Sequence, residues 1–230
     1  ELAKINGKSY ESFEGSPIQN GILQFDNWNV NPNESVYCDS NVEYDWELIR
    51  KNIKKYGVYN SLLVAPMPTA STSQILGNNE CFEPFTTNMY ARRTLAGEFA
   101  IINKHLLHDM INIGWWNERN KNLLVKARGS IQDFKDIPKC IRDKYKTVWE
   151  ISMKSLIDMS RDRGAYVCQS QSLNLWMEDP TYDKLTSMHF YAWKCGLKTG
   201  MYYLRSRAKA APQQFTVDPS LSNDCESCSG

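Results

Sequence analysis

Val58-Tyr59-Asn60-Ser61-Leu62-Leu63-Val64-Ala65 leads directly into Pro66-Met67-Pro68-Thr69-Ala70-Ser71-Thr72-Ser73-Gln74-Ile75-Leu76-Gly77. The first eight residues end in an unbroken apolar run and predict a buried strand. Ser73-Gln74-Ile75-Leu76 predicts the opening turn of a helix, and the prolines and small hydroxyl residues between predict a tight loop. Strand, loop and helix start together leave backbone N–H groups unpaired. Those donors, with the positive end of the helix dipole, favour a small anion such as phosphate. Thr69, Ser71 and Thr72 add hydroxyl donors without bulk. An ordinary N-cap with spare Ser and Thr residues accounts for the same pattern, since neither a Gly-rich loop nor a P-loop lysine is present.

Working outward, Asp45 predicts a helix cap, with Trp46, Ile49, Ile53 and Tyr56 on one face and Gly57 at the end. Helix followed by strand is the alternation of an α/β fold. Gly97–Ile102 predicts a short strand, and Asn103 caps a helix running through Ile113 to Gly114. Asn117–Ala127 predicts a further helix, and Pro138 a first-turn proline before Lys139–Lys146. Val148–Arg163 predicts one long, mostly buried helix stopped at Gly164. Ala165–Cys168 and Leu173–Met177 predict short strands. Asp179-Pro180 opens a helix through Lys198, closed by Gly200, and Met201–Leu204 predicts a strand. The segments 11–33 and 31–44 predict irregular structure and a surface loop. No internal repeat is present.

The 230 residues suffice for a sizeable core, and a net charge of +1 argues against general affinity for nucleic acid. No apolar run approaches membrane-spanning length and no signal peptide is evident. Seven cysteines, an odd number, point to a reducing compartment, the cytoplasm. There is no initiating Met, and Glu1-Leu2-Ala3-Lys4 looks like the end of an interrupted helix, as expected of a fragment or a processed piece. From Asp218 onward almost nothing can be buried, which predicts a disordered tail over 218–230 beyond a domain spanning 1–217.

That tail carries Cys225-Glu226-Ser227-Cys228. Half of a zinc site is one possibility, but no second pair exists to complete four ligands. The pair could also be idle, or a mobile dithiol that exchanges with another disulfide. Tyr202-Tyr203 could be one core and one edge residue, since strand neighbours point to opposite faces, or a pair of phenols passing an electron and a proton. Asn79-Glu80-Cys81-Phe82-Glu83 places a thiol between an amide and a carboxylate, a pattern of nucleophilic or radical chemistry or of chance. His105 and His108 have metal-clip spacing without a third ligand, and His189 reads as a packed helix residue.

Several of these segments, in order, resemble one family. Glu14-Gly15-Ser16-Pro17, Pro66 to Asn79, Tyr145 to Ser152, Gln169-Ser170-Gln171-Ser172-Leu173-Asn174, Lys184 to Tyr191, Lys198 to Arg205 and the terminal Cys225/Cys228 pair resemble the C-terminal part of the large subunit of class I ribonucleoside-diphosphate reductases of the eukaryotic and viral type. The resemblance implies the C-terminal half of a ten-stranded α/β barrel with a disordered C-terminal tail. It implies that Pro68, Thr69, Ala70, Ser71 and Thr72 hold the substrate diphosphate. Tyr202 and Tyr203 would relay a radical from the small subunit's di-iron/tyrosyl centre. Cys225 and Cys228 would be the dithiol that re-reduces the active site and is recharged by thioredoxin or glutaredoxin. It also implies ribonucleoside diphosphates as substrates, ATP and deoxynucleotide effectors on an N-terminal part, and no metal or cofactor on this part. The family's Asn-x-Cys-x-Glu motif lies upstream of the phosphate loop, so Asn79-x-Cys81-x-Glu83 is expected to be coincidental and the catalytic cysteine to lie before Glu1. Alone, such a chain would be inactive and, with exposed strand edges, would fold poorly. Trp176 stands where the family often has a smaller or polar residue. The competing possibility is a non-catalytic remnant that binds phosphate ligands or a partner reductase subunit.

Overall fold

The computed structural model describes residues 1–32, 44–95 and 97–207. A short helix, α1 (Leu2–Asn6), ends at Gly7 and is followed by two 3-10 turns, Glu11–Phe13 and Pro17–Asn20, and by α2 (Gln24–Asn27). Helix α3 (Trp46–Tyr56) is capped by the Asp45 carboxylate, which accepts from the Leu48 N–H at 2.8 Å. Its half-buried stripe is Trp46, Ile49, Ile53 and Tyr56, as the spacing predicts. Asp26 fixes this helix from below by taking two bonds from the Arg50 guanidinium, at 2.7 and 2.9 Å.

The predicted Val58–Ala65 strand is a correction. These residues are extended, but no strand forms there, and Leu62, Leu63 and Val64 are 52%, 66% and 47% exposed. Its backbone bonds are few: Tyr10 N–H reaches the Val58 carbonyl at 3.0 Å, Cys168 and Gln169 N–H reach the Val64 carbonyl at 3.2 and 3.4 Å, and Ser172 N–H reaches Pro66 O at 3.4 Å. The apolar pattern is that of a buried strand, yet Leu62, Leu63 and Val64 stay exposed among the described residues. The loop then enters α4 (Ala70–Leu76), three residues earlier than the sequence suggests.

A hairpin of β1 (Met89–Thr94) and β2 (Gly97–Ile102) follows, antiparallel with Met89 opposite Ile102 and Thr94 opposite Gly97. β1 was not legible in the sequence, because Tyr90-Ala91-Arg92-Arg93 shows no clean alternation. Asn103 caps α5 (Lys104–Asn112) through its side chain, and α6 (Glu118–Lys126) is capped likewise by Asn117. Together with α7 (Lys139–Lys144), these helices enclose Met89, Leu106, Met110, Trp115, Leu124, Ile131, Ile137 and Tyr145, all buried. Each such large apolar side chain contributes roughly 1.5–3 kcal/mol. Asn88, 2% exposed, ties this body together. Its amide N–H groups donate to the carbonyls of Gly129 and Tyr145, both at 3.0 Å, and its oxygen accepts from the Asn103 amide at 3.0 Å.

The single helix predicted over Val148–Arg163 is broken in two. Val148–Glu150 is a 3-10 turn, because the Glu150 carboxylate folds back to the Thr147 N–H at 2.7 Å and also accepts from the Ser130 hydroxyl. Ile151 and Ser152 are extended, and α8 (Met153–Gly164) restarts from Ser152. Ala165–Cys168 forms a turn instead of a strand. β3 (Asn174–Trp176) pairs in parallel with β4 (Tyr203–Arg205), and α9 (Tyr182–Lys194) connects them, capped by Thr181 and ended at Gly196 instead of Gly200. This βαβ unit packs α8 and α9 on β3 around Val148, Leu156, Ile157, Leu173, Leu175, Met188 and Ala192. His189 on α9 is exposed, not packed. The described residues thus form mixed helix and strand with two two-stranded sheets and no closed barrel. Among them no helix is long and apolar enough to cross a membrane. The tail 218–230 and most of the 31–44 loop lie outside the described residues.

Candidate functional site

Three segments are linked through backbone hydrogen bonds: 62–66, the run 168–176 that turns at 171–173 before β3, and 202–205. The middle one is bonded on both flanks. Ser172 N–H meets Pro66 O, and one residue on, Leu173 O accepts from the Tyr202 N–H at 2.6 Å. Two strand spacings therefore separate the backbone of Pro66 from that of Tyr202, roughly 10 Å. The small-residue loop and the tyrosine pair leave the same level of the same layer.

On one flank, Pro68 is exposed and Thr69 half-buried. The first intrahelical bond runs from Ser73 N–H to Thr69 O at 2.9 Å. Thr69 is therefore the N-cap residue, and the amides of residues 70–72 belong to the first turn, where an α-helix has no carbonyl to offer them. Ser71 and Thr72 are exposed. The Thr69 hydroxyl points away from that turn and donates to Glu80 O at 3.0 Å.

On the other flank, Tyr202 and Tyr203 are each 49% exposed. Their ring centroids are 4.4 Å apart at an interplanar angle of 64°. The expected core placement does not hold, whereas Tyr203 does sit on an edge, since β4 pairs only with β3 among the described residues; β4 starts only at Tyr203, so Tyr202 is not yet constrained to alternate. The Tyr203 phenol beside it pushes the Tyr202 pKa up, an effect that slight burial reinforces and the Arg205 charge opposes. Arg205 lies over the Tyr203 ring, 4.8 Å from its centroid.

Beneath the loop sits the turn 79–83. Asn79 Nδ2 donates to the carbonyls of Cys81 and Glu83, at 3.1 and 2.5 Å. The Glu83 side chain is buried, 1% exposed, and accepts from the Asn174 N–H at 2.6 Å and the Asn174 amide at 3.5 Å. Burial, then the Glu83 carboxyl, push the Cys81 thiol up to about 12. A thiol so raised supplies almost no thiolate near neutrality, which disfavours a nucleophilic role for Cys81; the side chains of Asn79 and Glu83 bond to the turn and to Asn174. The sequence signal for Glu83 was available: a lone acid inside Cys-Phe-Glu-Pro-Phe. Phe82 lies under Arg163, whose guanidinium is 4.2 Å from the ring centroid and donates to Gln171 at 3.1 Å.

Cys225 and Cys228 lie outside the described residues. His105 and His108 are exposed on α5, and no group of three or more His, Cys, Asp or Glu residues is placed to hold a metal ion among the described residues. Trp176 packs edge-on against Trp149, ring centroids 5.3 Å apart, and its buried indole N–H has no partner there; nothing in the structure explains the choice of Trp at this position.

Comparison with known proteins bears on this arrangement directly. The family model for the ribonucleotide reductase barrel domain matches residues 1–203. The ribonucleoside-diphosphate reductase large chain of Schizosaccharomyces pombe is 58% identical over 219 residues, which are 95% of this chain and 26% of that protein. The large subunit of Arabidopsis thaliana is 56% identical over 221 residues, 96% of this chain and again 26% of the relative. Among solved structures, the class Id ribonucleotide reductase alpha subunit of Actinobacillus ureae has 28% identity and a TM-score of 0.60, covering 68% of this chain and 28% of that one. The chain spans about a quarter of the length of the curated relatives it matches, and the matched quarter is their C-terminal part. The chain belongs to the ribonucleotide reductase large-subunit family, as part of its barrel domain.

Proposed function

We propose that this chain is the C-terminal part of a class I enzyme that reduces ribonucleoside diphosphates to deoxyribonucleoside diphosphates for DNA synthesis, and that it contributes three of the enzyme's working parts. Within the loop Pro68–Thr72, the first-turn amides of Ala70, Ser71 and Thr72 and the hydroxyls of Ser71 and Thr72 hold the substrate diphosphate. Tyr202 and Tyr203 carry the radical delivered by a small subunit towards a catalytic cysteine on the N-terminal part. Cys225 and Cys228 exchange with the active-site disulfide and are recharged by thioredoxin or glutaredoxin. In the whole reaction the ribose 2′-hydroxyl leaves as water and is replaced by hydrogen, while two thiols become a disulfide. Effector nucleotides act on the N-terminal part.

One observation carries this reading furthest: the loop and the tyrosine pair flank residues 172 and 173 of a single central segment. Substrate and radical route would then converge within about two strand spacings. Tyrosine suits the relay because its O–H can lose an electron and a proton together, leaving no net charge where water is scarce. The 4.4 Å ring separation supports direct transfer between the two phenols. The exposed apolar run Leu62-Leu63-Val64 supports a half-barrel whose remaining strands come from elsewhere in the enzyme.

The test uses the complete large subunit with its small subunit. Tyr202→Phe and Tyr203→Phe should each abolish turnover while leaving nucleoside diphosphate binding intact. Cys225→Ser with Cys228→Ser should abolish thioredoxin-driven turnover but keep activity with a small dithiol. Full thioredoxin-driven activity in that double variant would refute the tail assignment. Diphosphate binding without any turnover in the unmodified protein would favour a non-catalytic remnant.

A further inference from the structure

Glu83 is the one carboxyl among the described residues that is almost wholly buried, and the two bonds its carboxyl accepts from Asn174 join the turn 79–83 to β3. From the loop side, Thr69 Oγ1 is bonded to Glu80 O, and the Glu80–Glu83 turn is closed by Asn79 onto the Glu83 carbonyl. From the tyrosine side, Asn174, whose N–H donates to Glu83, stands opposite Tyr203 in the parallel β3–β4 register. An unbroken line of short contacts thus runs from the N-cap of α4 through Glu83 to the phenol pair. Without Glu83, the turn would keep Phe82 on Arg163 and the weak bonds of 62–66, which fix position along the layer but not the approach of Thr69.

We propose that Glu83 is a positioning residue that holds the diphosphate loop at a fixed distance from Tyr203. It touches no substrate. It acts by accepting the Asn174 N–H, a bond to a buried carboxyl that nearby water cannot replace. The Asn174 side-chain oxygen is buried and without a partner among the described residues, while its Nδ2 faces the second Glu83 oxygen; a glutamine at 83 keeps the backbone bond through its Oε1 and, once the Asn174 amide turns over, donates its own N–H to that oxygen. Alanine at 83 keeps neither.

This inference rests on the diphosphate and radical roles proposed above, and its experiment separates the two. Glu83→Ala, Glu83→Gln, Thr69→Val and the Glu83→Ala/Thr69→Val pair are made in the complete large subunit and assayed with the small subunit, varying a ribonucleoside diphosphate. Glu83→Ala should raise KM roughly tenfold or more, the size of a buried hydrogen bond lost with its partner left unsatisfied, and Glu83→Gln, which keeps that bond, should stay within about threefold of the unmodified enzyme. Because Thr69 and Glu83 act through one turn, the double variant should be well short of the product of the single effects. Thermal denaturation of each variant accompanies the kinetics. Should Glu83→Ala fail to fold, Glu83→Asp, one methylene too short to keep the Asn174 bond, takes its place: its effect on KM and that of Thr69→Val must again be less than multiplicative when combined. Multiplicative effects, or a change in melting temperature with KM unmoved, overturn the positioning role. An unmodified enzyme that binds no ribonucleoside diphosphate would instead overturn the function on which it rests.

Discussion

Asn88 offers the sharpest test of how the helical body beside the site is held. Replacing it with alanine removes three side-chain bonds, to Gly129 O, Tyr145 O and the Asn103 amide, each 3.0 Å long and buried or nearly so. At about 1 kcal/mol net for each bond, plus a further cost for carbonyls left in a dry place without their donor, Asn88→Ala should lose about 3–5 kcal/mol. Asn88→Asp separates hydrogen bonding from volume. Its carboxylate would face the same two carbonyls that now accept from the amide. The charged form is therefore disfavoured in the folded protein, and the folded pKa rises above the unfolded one. The charge penalty is absent below the unfolded pKa, grows as pH rises through the window between the two values, and is complete above the folded pKa. Urea denaturation of the chain followed by tryptophan fluorescence measures both variants, with Trp115 lying in the cluster that Asn88 closes. A loss below about 1 kcal/mol in Asn88→Ala, or an Asn88→Asp penalty that does not shrink towards acid pH, would refute the assignment of Asn88 as a satisfied buried hub.

Two further outcomes are expected. Cys81, pushed up to about 12 mainly by burial, should resist iodoacetamide near pH 8 until the protein is unfolded, while exposed Cys140 reacts in the native state; mass spectrometry of the labelled peptides decides, and fast native labelling of Cys81 would sink its structural role. The Arg50 guanidinium, opposed in part by desolvation, lowers the Asp26 pKa below its ordinary 3.8, so the pair's stabilisation is present above that value and lost as pH falls through the lower folded one; Asp26→Asn should cost at most about 1 kcal/mol at neutral pH, and the gap to the unmodified protein should close under acid conditions in a denaturation series.

Much of the architecture was readable from residue types alone, because it depends on neighbours within one turn. Asp45, Asn103 and Asn117 cap their helices with their own side chains, and Gly57 and Gly114 end two of them at positive φ. The turn into a helix after Pro66 and Pro68 was legible for the same reason, since Ser and Thr favour helix starts, although α4 begins at Ala70 and not at Ser73. Where the outcome depended on distant partners, the sequence misled. Leu62-Leu63-Val64 has the composition of a buried strand and is exposed, since burial depends on a second flank that lies elsewhere. Val148–Arg163 has the periodicity of one helix and is broken, since Glu150 is drawn to Thr147 and Ser130.

The sequence by itself determined most of the helical segments, the starts of those capped by Asp45, Asn103 and Asn117, and, through its ordered motifs, the family to which the chain belongs. Only the tertiary structure decided that the small-residue loop and the two tyrosines flank one central segment, and that a single buried carboxyl spans between them. The physical reason is one of range. Caps and propensities act over a few residues, whereas Glu83 and Asn174 are 91 positions apart and meet only once the layer between them has formed.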